Sequence, residues 1–158
     1  MQARPSFVTG ASGKPGSRVA VILRSANVIY LALAGLLLLS IGGAILLVPH
    51  AFHGNNGIEL GTDPTFLSEV RAPGGLLAGS AILALASVFR PGLRALATQL
   101  LVLVYGSFGM ARLASIALDG MPADSIVGAM IVELVVAAIG VAICWLQRSG
   151  IESSELGT

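Results

Sequence analysis

Arg112 and Glu133 stand inside long runs that carry no other charge, and their types allow definite chemistry. A guanidinium beside a carboxylate can join two helices or grip a polar ligand. A carboxylate separated from its partner in an apolar setting can also carry a proton, because burial disfavours its charged form. The segment DGMPAD over residues 119–124 reads as a tight turn. Arg112 lies almost as far before this turn as Glu133 lies after it. In an antiparallel helical hairpin the two therefore sit level, roughly 10 Å inside the boundary at about 1.5 Å of rise per residue. An Arg112–Glu133 pair is the expectation.

Helical spacing extends the polar group. Tyr105, Phe108, Gly109, Ser115 and Asp119 fall on the stripe of Arg112. Ala129, Ala137 and Gly140 fall on that of Glu133, where small side chains let backbones approach. Glu69 and Arg71 open a further apolar run. Glu69, Arg71, Arg112 and Glu133, with Asp119 at the rim, would form a net-neutral cluster. Such a cluster serves either as structural glue or as a ligand site. Gly75 and Gly79 make a G-x-x-x-G surface, and Gly109 and Gly140 are further helix-packing candidates.

Other motifs are weaker. Gly10, Gly13 and Gly16 echo a phosphate-binding turn, but Arg4-Pro5 spoils a preceding strand and no βαβ unit surrounds them. His50 and His53 stand near Glu59 and Asp63, yet the intervening Gly54-Asn55-Asn56-Gly57 is turn chemistry, so no metal is expected. A single cysteine, Cys144, excludes an intrachain disulfide framework and reads as a small hydrophobe. No Ser/His/Asp or Cys/His nucleophilic arrangement has positional support, so neither catalysis nor a cofactor is expected.

The elements that must position these residues are membrane spans. Of 158 residues, 55% are hydrophobic and 11% charged, against about 25% charge in soluble domains. Nine Lys/Arg against eight Asp/Glu leave no basic excess for nucleic acid. Long Leu/Ala-rich runs without alternation favour helix over strand, and open sheets leave unpaired edges in lipid. Four helices are expected, at about 25–48, 68–89, 94–118 and 125–147, within a membrane domain spanning 25–148. Residues 1–24 read as a disordered tail, 49–70 as the longest loop, 90–94 as a tight turn and 149–158 as a short acidic tail.

The fold class expected is therefore all-α, a four-helix transmembrane bundle. Arg4, Lys14, Arg18, Arg24, Arg90, Arg94 and Arg148 share one side, which places both termini in the cytoplasm by the positive-inside rule. Tyr30, Phe89 and Trp145 are expected at the inner membrane boundary, and Phe52 and Phe66 at the outer one.

Arg71, Gly74-Gly75, Arg112, Ser115, Asp119-Gly120 and Glu133 carry a resemblance. Their order and spacing resemble those of small, mostly bacterial membrane proteins of domain-of-unknown-function family 4345, which are similar to DoxX-like proteins. The likeness covers about residues 25–148 and departs at Pro73 and in the longer N-terminal tail. It implies a four-helix bundle and supplies no reaction. The expected role is a non-catalytic multi-pass protein of the cytoplasmic (inner) membrane, an accessory subunit or partner-binding bundle. Its partners would be membrane lipids and a membrane protein or a second copy of itself. The alternative is a small-molecule, lipid or proton-coupled protein that uses the Arg/Glu cluster as its site.

Overall fold

The computed structural model describes the backbone of residues 15–155 and the side chains of residues 20–149. It is an all-α, four-helix transmembrane bundle. The long helices are α1 (Pro15–Leu47), α3 (Pro64–Phe89), α4 (Arg94–Asp119) and α5 (Asp124–Glu155). A short helix, α2 (Pro49–Gly54), follows α1, and a 3-10 turn over Pro91–Leu93 precedes α4. Four spans are long and apolar enough to cross a membrane: Ala20–Leu47, Pro64–Phe89, Pro91–Asp119 and Asp124–Ser149. The two shortest, of 26 residues each, reach about 40 Å as helices, against a hydrocarbon core of about 30 Å.

Local chemistry explains the boundaries, including those that differ from expectation. Pro15 opens α1 ten residues ahead of the expected start at 25. A proline at the first helical position has its φ already set, and Arg18 and Arg24 interrupt only the apolar run. A charge ends the stretch that lipid accepts without ending the hydrogen-bonded ladder. Residues 1–14, with Gly10 and Gly13, lie outside the described residues. Val48 leaves helical geometry at φ −131° because Pro49 follows it. Asp63 caps α3, its carboxylate accepting from the Phe66 N–H at 2.8 Å, so α3 begins at Pro64 rather than near 68. Gly120 ends α4 at φ +93°, a conformation open to glycine. Helix α5 continues to Glu155 through most of the expected acidic tail.

Two hairpins form first-order units: α1 packs most extensively on α3, and α4 on α5. The seam of the first is Gly42 against Gly74. A Cβ on Gly42 would lie 2.6 Å from the Ala78 nitrogen, and one on Gly74 would lie 2.9 Å from the Leu46 nitrogen. Gly75 and Gly79, expected to form a helix-packing surface, lie outside this seam, and a Cβ at either would meet nothing within 4 Å. The buried stripe of α3 runs through Gly74, Leu77, Ala81 and Ala84, and one residue further along turns the chain by about 100°. In the second hairpin Gly109 lies against Leu134, whereas Gly140 receives Val102 and, from the first hairpin, the Tyr30 hydroxyl.

Contacts between the hairpins gather toward the end that holds the start of α1 and the Pro91–Leu93 turn, here termed the terminal end. Thr98 Oγ1 donates to Asn27 Oδ1 at 2.9 Å. Tyr105 donates to the Ala34 carbonyl at 2.7 Å, near mid-height. Leu31, Ala97 and Leu101 are fully buried between them. Tyr30 belongs to this core at 7% exposure and not to the membrane boundary; Phe89, Trp145 and Phe66 are exposed. Among the described residues α3 and α5 do not approach each other. Leu33, Ile82, Leu103 and Val135 face outward, as a lipid-solvated bundle requires.

Candidate functional site

Because the hairpins are tied at the terminal end, they diverge toward the other, here termed the loop end. The wedge between them holds a cavity of about 470 Å³. Leu38, Ile41 and Ile45 of α1 supply one wall, and Val70, Pro73 and Leu77 of α3 the next. Val104 and Phe108 of α4, then Ile126 and Ala129 of α5, supply the facing walls. Phe52 and His53 of α2 and Asn56 and Ile58 of the following turn complete the lining. The volume falls in the range of small-molecule sites, roughly 300–1,000 Å³.

A few polar groups interrupt this apolar surface. Arg112 Nε donates to Glu133 Oε2 at 2.9 Å, joining α4 to α5. The arginine side chain is 30% exposed and that of the glutamate 12%, so the pair sits at the cavity face rather than sealed between helices. The other guanidinium nitrogens of Arg112 and the second oxygen of Glu133 make no hydrogen bond among the described residues. His53 packs edge-on against Phe52, ring centroids 5.3 Å apart at 88°. Its Nε2 is buried and has no partner. A buried polar atom in this state costs free energy; the ring lines the cavity, while the nitrogen is withdrawn from its surface. The Tyr105 hydroxyl is committed to Ala34. Asn56 Nδ2 donates to the Phe52 carbonyl at 3.2 Å, which holds the turn beneath α2.

The structure brings together two of the five residues expected in the cluster. Glu69 and Arg71 are exposed, and neither forms an ion pair among the described residues. The reason lies in the α3 stripe. One step back from Gly74 along the buried stripe falls on Val70, which lines the cavity, and this leaves Arg71 beside it facing outward. Asp119 sits on the exposed last turn of α4, where it accepts from Ser115 Oγ at 3.2 Å. Tyr105 and Phe108, on the stripe of Arg112, do reach the cavity.

Sequence reasoning missed the contribution of α2. The sequence pattern places His53 in a loop and Phe52 at the membrane boundary, yet a six-residue helix carries them over the cavity. The available signal was Val48-Pro49, a pre-proline break followed by a proline fit to start a new helix. His50 points elsewhere, its Nε2 lying 3.3 Å from the Gly61 carbonyl. Among the described residues no group of three or more His, Cys, Asp or Glu could hold a metal ion.

Comparison with known proteins places residues 26–146 under the family model described as Domain of unknown function (DUF4345). No curated protein and no solved structure matches the chain.

Proposed function

We propose that this chain, which belongs to the DUF4345 family, is a membrane protein that binds a small amphiphile taken from the surrounding lipid. The observation that supports this reading is the cavity of about 470 Å³ with Arg112 and Glu133 on a largely apolar wall. A pair serving only as glue would be closed off from such a volume. Polar groups few in number on a concave apolar surface are the usual composition of a ligand site.

The test uses the full chain in lipid nanodiscs with a photoreactive long-chain alcohol carrying a diazirine in its tail. Adducts should concentrate on Phe52, Tyr105 and Phe108, saturate with probe and fall when unlabelled alcohol competes. Ala129→Phe, which fills the wall of α5, should suppress them. Adducts confined to the outward residues Leu33, Ile82, Leu103 and Val135, and without saturation, would overturn the reading.

In the same proposal the protein sits in the cytoplasmic (inner) membrane with its termini inside. Arg24, Arg90, Arg94 and Arg148 lie at the terminal end, while only Arg71 and Arg112 lie toward the loop end among the described residues. This division supports that orientation through the positive-inside rule. The second reading is a partner-binding bundle, supported by Gly75 and Gly79, which face away from this chain with nothing within 4 Å. Disulfide trapping of Gly79→Cys in native membranes tests it: a crosslinked dimer or heteromer supports docking there, and an exclusively monomeric band rejects it.

A further inference from the structure

We infer that the occupant of the cavity is an uncharged amphiphile whose head is a hydroxyl or carbonyl, bound at the Arg112–Glu133 pair. The inference rests on the proposed ligand-binding reading and narrows it to a chemical class.

The first argument is charge. Arg112 and Glu133 neutralise each other, and no other Lys, Arg, Asp or Glu lines the cavity. An anionic head would compete with Glu133 for the guanidinium. A cationic head would compete with Arg112 for the carboxylate. Either leaves one surplus charge among apolar walls, where charges without partners are strongly disfavoured. A neutral head imposes no such cost.

The second argument is hydrogen-bond valence. Arg112 spends only Nε on Glu133, so its remaining N–H groups are donors without acceptors. Glu133 spends only Oε2, so its second oxygen accepts nothing. His53 Nε2 is buried away from the accessible surface, so the ion pair supplies the polar contacts for the head group. A hydroxyl gives one proton and takes another, which matches a carboxylate oxygen on one side and a guanidinium on the other. A carbonyl takes from the guanidinium alone. Tyr105 does not compete, since its proton is held by Ala34. Apart from Asn56, whose amide nitrogen is committed to the Phe52 carbonyl, the rest of the lining is mostly hydrocarbon and suits an alkyl or ring body.

The experiment compares three diazirine probes of one tail length in nanodiscs, with hydroxyl, carboxylate and quaternary ammonium heads. The hydroxyl probe should half-saturate the cavity adducts at about a tenfold lower concentration than either charged probe, because either charge is left uncompensated among apolar walls. His53→Leu, which reshapes the wall, should weaken all three probes to a similar extent. Glu133→Gln removes the neutralising charge and should turn preference toward the carboxylate probe. Arg112→Gln should turn it toward the ammonium probe, so the head-group rule is tested by two variants of opposite sign. Equal saturation by all three heads would overturn the neutral-head inference while leaving a ligand site. Failure of every probe to saturate would overturn the ligand-site reading itself.

Discussion

Gly42 and Gly74 meet backbone to backbone across α1 and α3, and neither position has room for a methyl group. A Cβ on Gly42 would stand 2.9 Å from the Gly74 carbonyl oxygen, and one on Gly74 3.0 Å from that of Gly42. The obstacle is main chain on both sides, which cannot rotate away as a side-chain tip can.

Gly42→Ala and Gly74→Ala should each destabilise the bundle by about 1–3 kcal/mol, the usual cost of overpacking. Gly75→Ala, one residue along and in open space, should be neutral or gain up to about 1 kcal/mol from helix propensity. Unfolding midpoints in a mixed-micelle titration would compare them. Equal losses at 74 and 75 would contradict the assigned face of α3.

The two buried tyrosines should respond with opposite signs. Tyr105→Phe removes a 2.7 Å hydrogen bond to Ala34 that links the hairpins, and a loss of about 1 kcal/mol is expected. Tyr30→Phe removes a hydroxyl that is buried without a partner, so stability should hold or rise. The same titration reads both. A larger loss for Tyr30→Phe would show that its hydroxyl has a partner.

The Arg112–Glu133 pair should be non-additive. Arg112→Met leaves a carboxylate at 12% side-chain exposure without its counter-charge, and Glu133→Met strands the guanidinium. The double variant strands neither. A double-mutant cycle should give a coupling of about 1 kcal/mol or more, within the range for groups in contact. Coupling near zero would mean that the pair does not persist in the membrane.

His53→Leu should affect fold and binding differently. Its Nε2 has no partner to lose, and leucine keeps an apolar body against Phe52. Stability should therefore change by less than about 1 kcal/mol, while occupancy of the cavity by the long-chain alcohol falls. Circular dichroism melting together with photolabelling separates the two. Collapse of the fold would assign His53 a structural role instead.

Much of the architecture was legible because lipid imposes a simple rule. The four apolar runs are visible by length alone, and hairpin arithmetic about residue 122 places Arg112 level with Glu133. Three features were not legible. Gly74 and Gly75 are adjacent, and only packing decides which of them turns toward α1. Arg18 and Arg24 mark where lipid ends but not where helix begins, so the start of α1 at Pro15 was hidden. Helix α2 is too short to show a period, so the placement of His53 over a cavity had no pattern to announce it. The wedge follows from where the ties between hairpins fall, and span composition carries no information about that.

Each hairpin is fastened within itself, one by touching glycines and the other by an ion pair, whereas Asn27–Thr98 and Tyr105–Ala34 join the two arms away from their open tips. The angle between the two arms, fixed by those two ties and not by any cross-link at the tips among the described residues, therefore sets how wide the wedge is.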